Sequence, residues 1–542
     1  MRASTTITPV GHPNRGSFLS SGNRTTREPN AAETTQRFRS QIGHISRQSS
    51  VFFAGTVFTA VAGYLFKVYL ARTLGAEALG IYALGMTVGG VASLVAAPGL
   101  PQTASRFVAV YVSQGENRKL SRLLWSGLGI LAVANFVLAI AMIAARRWIA
   151  LQLYHTPALA QYMHFFAAIM LTGALTSFLG QAMAGYKDVS RRTVITSFIG
   201  TPATMAFTLL LVSLGLGLRG YLAAQVGSAL LVLILLARAT WKLTPVPARS
   251  PFIASPEGSR FLEPEVVSFA VVLFGIQVLE FIASQTDRIL LGIYMNAREV
   301  GIYAVAMSLV AFVAIFLQAI NQIFAPTIAE LHANGERDLL LRLYQTLTKW
   351  SLGLAIPLAL GLMVFARPLM GIFGADFRAG WPVLAIATVG QLVNCGVGSV
   401  GFLLLMSNQQ RRMVRAQAIV VGLTLLLNLA LIPHWGMIGA AAASVATTAC
   451  MNLLLLWDVK KKLHLFPSVH GYLCLLVPTA VTVAVLCAVR FLLRPAVSEV
   501  WLVLLGFSAG YVVFALAAWR FALEPQDWDL GKTAYGRVRA MF

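Results

Sequence analysis

The chain has 542 residues, of which 57% are hydrophobic and only 11% are charged, and its mean hydropathy is +0.73. Soluble proteins have about 25% charged residues, so this composition excludes a soluble globular protein and predicts an all-α polytopic membrane protein. The net charge of +22 does not predict nucleic-acid binding. The basic residues lie in short segments between apolar runs, which is the pattern that sets membrane topology.

The first 47 residues are polar and rich in Ser, Thr and Arg, which predicts that 1–47 is a disordered basic tail. About fourteen apolar runs follow, each long enough to cross a bilayer as a helix. They lie at about 49–71, 79–101, 122–145, 161–183, 192–214, 219–240, 265–291, 300–325, 347–366, 379–406, 413–432, 436–457, 471–493 and 499–520.

The distribution of basic residues predicts the orientation of these spans. With a cytoplasmic N-terminus, the great majority of the 42 Lys and Arg residues fall in the tail, in the inside loops and in the C-terminal segment. Basic residues accumulate on the cytoplasmic side of membrane proteins. We therefore expect both termini to be cytoplasmic. The outer loops are too short to form an extracytoplasmic domain.

Short motifs recur at a period near 220 residues, which indicates an internal duplication. The pairs are Gly80-Ile-Tyr-Ala83 with Gly301-Ile-Tyr-Ala304, Gln114-Gly-Glu-Asn117 with Asn334-Gly-Glu-Arg337, Arg191-Arg192 with Arg411-Arg412, and Gly217-Leu-Arg-Gly220 with Gly436-Met-Ile-Gly439. Two copies of six spans run in the same direction, so substrate is expected between them near the midplane. The predicted units are an N-lobe at 48–243, a cytoplasmic linker at 244–264 and a C-lobe at 265–463. Residues 464–542 hold two further spans and a cytoplasmic tail.

One predicted span carries a stripe of polar residues. Gln277, Glu280, Ser284, Asp287 and Arg288 follow one another at intervals of three, four, three and one residues, so they share one helical face. Ionisable groups inside a membrane cost roughly 2.5–3.5 kcal/mol each on insertion scales. The stripe is therefore expected to face a protein interior or a wet cavity.

The repeat places a second cation opposite this stripe. At an offset of 221 residues Arg288 corresponds to Lys67, and we interpret these two as the only cations inside the spans. Two converging cations suit a polyanionic group such as a diphosphate. In the alternative interpretation, Asp287 or Glu280 neutralises Arg288 and Lys67 extends to the outer interface. Glu280 could bind H⁺ or Na⁺ or act as a simple counter-ion.

Two further features each have two interpretations, and the absence of certain motifs argues against a metal site and an ATP-driven motor. Pro98-Gly-Leu-Pro101, followed by Arg106, either ends a helix or forms a cytoplasmic gate where Arg106 meets an arriving phosphate. Asn321 either bonds a neighbouring helix or contacts sugar hydroxyls. The histidines and cysteines show no metal-ligand spacing, and no phosphate-binding loop of an ATP-driven motor is present.

Several stretches together resemble the polysaccharide transporter branch of the multidrug/oligosaccharidyl-lipid/polysaccharide (MOP) exporter superfamily, which includes the O-antigen flippases. They are Asp287-Arg-Ile-Leu-Leu-Gly292, Val300-Gly-Ile-Tyr-Ala-Val-Ala306, Asn321-Gln-Ile-Phe-Ala-Pro-Thr-Ile-Ala329, Gly99-Leu-Pro-Gln-Thr-Ala-Ser-Arg106 and Gly436-Met-Ile-Gly-Ala-Ala441. The resemblance implies a V-shaped bundle with a central cationic cavity in the bacterial inner membrane.

The resemblance also implies a function. A transporter of this branch, which is not an enzyme and has no cofactor, would flip an undecaprenyl-diphosphate-linked oligosaccharide to the outer leaflet for O-antigen and lipopolysaccharide synthesis. Exchange with H⁺ or Na⁺ stays open. The expected partners are the lipid-linked oligosaccharide, membrane lipids and the polymerase or export proteins of the same polysaccharide, with no nucleic acid.

Three other functions remain as alternatives. A lipid II-type flippase has a similar layout, but its N-terminal arginine pattern is absent here. A cation-coupled multidrug exporter would have an acidic or apolar cavity. A membrane glycosyltransferase or polymerase, the least favoured, would need large outer loops with catalytic residues.

Overall fold

A computed structural model describes residues 31–249, 262–493 and 497–522, and for residues 31–50, 53, 322, 323 and 326 it describes the backbone alone. No strand occurs within these ranges, and the predicted all-α fold is confirmed. The helices are α1 (Ala31–Ala96), α2 (Leu100–Gln114), α3 (Asn117–Ala144), α4 (Arg146–Trp148), α5 (Pro157–Gly185), α6 (Val189–Thr193), α7 (Thr201–Ser213), α8 (Gly217–Leu243), α9 (Pro264–Tyr294), α10 (Ala297–Ala333), α11 (Arg337–Val364), α12 (Ala366–Gly371), α13 (Trp381–Val397), α14 (Val400–Met406), α15 (Gln410–Leu463), α16 (Val469–Leu493) and α17 (Glu499–Phe521).

The segments predicted to be a tail and a linker are partly described. The backbone of residues 31–47 is helical, as the beginning of α1, and residues 1–30 lie outside the described chain, so a disordered tail over 1–47 stays a prediction. The predicted linker opens with a 3₁₀ turn at Val246–Arg249, and residues 250–261 lie outside the description. The same holds for the C-terminal tail from residue 523 onwards.

Twelve of the described helices are long and apolar enough to cross a membrane. Two of them are double-length and contain a glycine with non-helical backbone angles, Gly75 in α1 and Gly436 in α15. A straight helix as long as α15 would extend about 80 Å, whereas the hydrocarbon core is about 30 Å thick. The predicted number of about fourteen spans, which requires that both halves of each cross the membrane, stays a prediction.

The turns between the helices support the predicted duplication. Gly115 and Gly335 both adopt left-handed backbone angles, with φ of 70° and 73°, and both end a helix whose last carbonyl groups then accept the same pattern of hydrogen bonds. Only glycine adopts such angles without steric cost. Positive φ angles recur at nearly the same period in two further pairs of residues, Lys187 with Asn408 and Gly217 with Gly436.

The hydrophobic core shows how the two copies are joined. One continuous cluster contains buried residues of both copies, among them Leu84, Tyr303 and Phe365. All of these lie toward the end that the loop charges predict to be outer. At the opposite end, one cluster around Phe107 and Phe178 also includes Val266 and Ala270 of α9, and another around Tyr344 and Leu403 contains no described residue of the N-lobe. The lobes therefore share their largest core at the predicted outer end, and at the opposite end the beginning of α9 packs against the N-lobe.

The repeated Gly-Ile-Tyr-Ala motifs form the centre of that contact. A Cβ atom added to Gly80 would overlap the carbonyl oxygen of Ala297, and one added to Gly301 would overlap the carbonyl oxygen of Ala76. The two contacts are reciprocal, as expected for elements related by a twofold axis. Glycine at both positions lets the backbones of α1 and α10 touch directly.

The last two helices pack against α11. Phe507 of α17 lies where a side chain on Gly361 would be, and Phe365 contacts Gly506 in the same way. Tyr472 of α16 donates a hydrogen bond to the carbonyl oxygen of Gly396 in α13. The C-terminal pair is thus attached to the C-lobe.

Candidate functional site

The structure brings Lys67 and Arg288 together between the lobes. Lys67 lies on the first half of α1 and Arg288 on α9, both half-buried, and they are near enough for their positive charges to repel each other. Each lies thirteen residues before the glycine of its own Gly-Ile-Tyr-Ala motif. The two side chains therefore lie close to the contact that joins the lobes.

The carboxylate beside Arg288 is occupied by other partners. Oδ2 of Asp287 accepts a hydrogen bond from the hydroxyl of Tyr303 at 2.6 Å, and Oδ1 accepts one from the backbone N–H of Arg288 at 2.8 Å. Tyr303 is fully buried. The acid is thereby held against α10, while its charge still interacts with that of Arg288.

Among the described residues, the guanidinium group of Arg288 donates no hydrogen bond to a carboxylate. Its Nη1 donates to Oε1 of Gln285 at 3.3 Å, and its Nε is buried without a hydrogen-bond partner. Among the ion pairs between described residues, none includes Arg288 or Lys67. No ion pair between Arg288 and Asp287 or Glu280 occurs among the described residues, but the charges of Arg288 and Asp287 are close enough to attract each other, so neutralisation of Arg288 by Asp287 stays an alternative prediction.

The repeat-related tyrosines have different partners in the two lobes. Tyr303 binds Asp287, whereas its counterpart Tyr82 binds Tyr221, whose hydroxyl also accepts a bond from Gln225 at 2.8 Å. The residue that corresponds to Asp287 in the first copy is Phe66. The acid is thus confined to the C-lobe, and the N-lobe contributes a cation alone.

The rest of the stripe extends along α9 away from the pair. Ser284 and Glu280 are exposed and Gln277 is half-buried, and Glu280 lies about 12 Å from Arg288 along the helix axis. Phe281, next to Glu280, lies against Gly90 of α1. These side chains are spaced along the helix axis and do not converge on one binding site.

Arg106 and Asn321 lie elsewhere. Arg106, on α2, stacks on the ring of Phe269 of α9 with 4.4 Å between guanidinium carbon and ring centroid. Asn321 lies about 27 Å from Tyr303 along α10, with a buried Oδ1 that has no hydrogen-bond partner. Neither residue belongs to the cation pair, and a role for Arg106 or Asn321 stays a prediction.

The lobes are closed over the pair at the predicted outer end. Besides the two glycine contacts, Leu84 and Tyr154 lie against Gly292 of α9. Nε of Arg72 donates to the carbonyl oxygen of Ile372 across the lobes at 2.7 Å. A group held by the pair is therefore separated from the outer side.

Comparison of the sequence with known protein families identifies the family of this chain. The model of a family described as polysaccharide biosynthesis protein matches residues 69–378, more than half of the chain. The chain belongs to this polysaccharide biosynthesis protein family. Arg288 and Asp287 lie inside the matched segment, and Lys67 lies just before it.

Two relatives of Haloferax volcanii bear the names of flippases. The probable low-salt glycan biosynthesis flippase Agl15 is 23% identical over 413 residues, which cover 76% of this chain and 82% of the relative. The probable flippase AglR is 23% identical over 436 residues, which cover 79% and 86% respectively.

Two solved structures share the fold of this family member. The lipid II flippase MurJ in an inward closed conformation has a TM-score of 0.67 at 16% identity, covering 86% of this chain and 97% of MurJ. An inward-facing multidrug resistance MATE family transporter of the MOP superfamily has a TM-score of 0.61 at 12% identity, covering 75% and 94%. The predicted resemblance to the MOP superfamily is confirmed.

One expectation about the cations is wrong. Lys349, on α11, also lies inside a candidate span and is only 7% exposed, so Lys67 and Arg288 are not the only cations there. Its aliphatic chain packs against Gly471 of α16. The signal was present in the sequence, because Lys349 falls within the apolar run at 347–366.

Within the described residues, no group of His, Cys, Asp and Glu side chains could hold a metal ion.

Proposed function

We propose that this member of the family is a flippase that moves an undecaprenyl-diphosphate-linked oligosaccharide from the cytoplasmic to the outer leaflet. The observation that carries the proposal is the pair of half-buried cations, Lys67 and Arg288, neither of which forms an ion pair with a carboxylate among the described residues. A diphosphate supplies the missing negative charge and enough oxygen atoms for both side chains. The names of the two Haloferax relatives support a flippase, and the name of Agl15 adds a role in glycan biosynthesis.

The mechanism follows from the geometry of the pair. Lys67 belongs to the N-lobe and Arg288 to the C-lobe, so a diphosphate bound to both would hold the lobes together and offset the repulsion between the cations. The glycan would cross between the lobes while the lipid chain stays in the bilayer. Opening of the Gly80–Gly301 contact would then release the headgroup outward, which is alternating access.

The membrane potential favours this direction of transport. With the cytoplasm negative, outward movement of an anion gains about 2.3 kcal/mol per charge for each 100 mV. Exchange with H⁺ or Na⁺ could add to this driving force. Glu280 is the better-placed residue for ion exchange, since it is exposed whereas Asp287 is bound by Tyr303.

The proposal includes the setting of this reaction. The chain would work in the bacterial inner membrane with both termini cytoplasmic, as a transporter and not as an enzyme. It would serve the synthesis of a cell-surface polysaccharide such as O-antigen, next to the polymerase and export proteins of that polysaccharide. The positive charge of the pair argues against a multidrug exporter, whose organic cations it would repel.

Proteoliposomes test this function directly. We expect the wild type to flip a fluorescent lipid-diphosphate-sugar and the variant Lys67→Ala/Arg288→Ala to flip it about 100-fold more slowly. Each lost charge-assisted contact is worth about 1.5–3 kcal/mol, and 1.4 kcal/mol is a factor of ten. Accessibility of the fluorophore to an added reductant measures the rate.

The matched control is Arg298→Ala/Arg378→Ala, which removes two exposed arginines that form ion pairs with Asp376 and Glu499. This variant should flip at the wild-type rate. Equal rates in the wild type and in Lys67→Ala/Arg288→Ala would refute the role of the cations. Export of ethidium by a wild type that flips no lipid-linked sugar would refute the flippase.

A further inference from the structure

The repeated arginine pairs at the start of the fifth and eleventh spans have different surroundings. In the C-lobe, Arg412 pairs with Asp458 at 2.6 Å and Arg415 approaches the other oxygen of the same carboxylate at 3.4 Å. The Asp458 side chain is only 3% exposed. The second arginine of the C-lobe pair is thus neutralised inside the protein.

Its counterpart in the N-lobe, Arg192, has no such acid. Ile195 stands at the position of Arg415, and Ala239 stands at the position of Asp458 when the buried residues of α8 and α15 are matched. Arg192 is half-buried, and none of the ion pairs between described residues includes it. Its neighbour Arg191 is exposed and pairs with Asp188 at 3.3 Å.

The guanidinium group of Arg192 lies against α5. A Cβ atom on Gly180 would be 3.2 Å from its Nε, so glycine at this position makes room for it. One turn earlier on the same face of α5, the hydroxyl of Thr176 is buried without a hydrogen-bond partner. A cation and an unused hydroxyl donor are the groups that phosphate oxygens bind.

This position is connected to the cation pair along α1. Thr193, next to Arg192, is in contact with Gly55 of α1. Lys67 lies about 18 Å further along that helix, and Thr56, the residue after Gly55, is on the same face as Lys67. A phosphate group at Arg192 would therefore lie beside the predicted cytoplasmic part of the helix that carries Lys67.

We propose that Arg192, with the hydroxyl of Thr176, binds the diphosphate of the lipid-linked substrate at the predicted cytoplasmic end of the N-lobe, before it reaches Lys67 and Arg288. The choice of this substrate rests on the proposed function, whereas binding of a phosphate group does not. An arginine that served only to orient the span could stay exposed, as Arg191 does, and would avoid the cost of burying a charge without a partner.

The kinetic test uses flipping by Arg192→Gln, with Arg191→Gln as the matched control. We expect Arg192→Gln to raise the half-saturating concentration of the lipid-linked sugar about tenfold while the maximal rate stays within twofold of wild type. Arg191→Gln should leave both values unchanged, and Arg192→Lys should restore most of the affinity. An unchanged half-saturating concentration in Arg192→Gln would overturn the inference while the flippase itself stands.

The vesicle composition identifies the source of the phosphate group. The effect of Arg192→Gln should be the same in vesicles of phosphatidylcholine alone and in vesicles that contain phosphatidylglycerol. An effect that appears only with phosphatidylglycerol would show that the site holds a phospholipid headgroup, and would overturn the assignment to the substrate.

A binding test is independent of transport. In detergent, inorganic diphosphate should raise the thermal midpoint of the wild type and of Arg191→Gln by the same amount. The midpoint of Arg192→Gln should rise clearly less, and the remaining rise comes from diphosphate bound to Lys67 and Arg288. An equal rise in Arg192→Gln would overturn the site even if no flipping is seen. Folding is checked without ligand, where Arg192→Gln should keep the wild-type midpoint and Arg412→Gln should lose stability because it removes a partner of the buried Asp458.

Discussion

At the scale of single residues, the site depends on where a carboxylate points. Asp287 and Arg288 are adjacent in sequence, and the sequence alone leaves open whether they neutralise each other. In the structure Tyr303, which lies sixteen residues away on α10, donates a hydrogen bond to the carboxylate at 2.6 Å, while the charges of Asp287 and Arg288 still attract each other. Since that partner depends on the packing of α9 against α10, the spacing of the stripe could not reveal it.

Tyr303→Phe tests this arrangement. Without the hydroxyl, Asp287 loses a buried donor, which costs about 1–3 kcal/mol of stability, and the freed carboxylate can turn toward Arg288. We expect a lower thermal midpoint together with a weaker affinity for the lipid-linked diphosphate. Calorimetric unfolding and a binding titration measure the two effects.

Tyr294→Phe is the control for that substitution, because Tyr294 ends α9 in an exposed position. It should leave both the midpoint and the affinity unchanged. A Tyr303→Phe variant that loses stability but binds the diphosphate as tightly as wild type would show that Tyr303 is structural and does not keep Asp287 away from Arg288.

At the scale of helices, the repeated glycines act where backbones meet. The sequence predicts the duplication from the two Gly-Ile-Tyr-Ala motifs, and the structure shows what they do, since α1 and α10 cross there without side chains between them. The motifs alone did not reveal that the two copies contact each other. That contact joins residues more than 200 positions apart.

A bulky residue at this crossing should keep the outer end open. Gly80→Leu would place a side chain on the carbonyl oxygen of Ala297, so we expect the lobes to separate there and flipping to be strongly reduced. Spin labels on α1 and α10 near residues 76 and 297 should report a longer distance by pulsed electron paramagnetic resonance. Gly129→Leu, at a helical glycine with open space around it, is the control. An unchanged distance in Gly80→Leu would contradict the role of this contact.

Much of the helical layout could be predicted because it depends on local patterns. The apolar runs gave nearly all of the spans, and the turn glycines Gly115 and Gly335 adopt the same backbone angles because the same short motif surrounds them. The sequence analysis did not count Lys349 among the cations inside the spans, because it lies near the edge of an apolar run, where a lysine can equally belong to a loop. Its burial depends on α16, a helix that lies outside the repeat.

At the scale of the whole molecule, the lobes share their largest core at one end, and at the other end the beginning of α9 joins the core of the N-lobe. The cation pair lies next to the shared end, and Arg192 lies by a further N-lobe cluster around Met183 and Leu236. This layout suits a transporter that holds an anionic headgroup between two lobes while the shared end is closed. The orientation relative to the cytoplasm rests on the loop charges.

The most direct test of the central claim is the affinity of the purified protein for a short-chain polyprenyl-diphosphate-sugar. Titration calorimetry on the wild type and on Lys67→Ala/Arg288→Ala gives the comparison, with the corresponding monophosphate as a second ligand. The pair of cations predicts that the double variant binds the diphosphate about 100-fold more weakly and no longer prefers it to the monophosphate. Equal affinity of both proteins for the diphosphate would contradict the account.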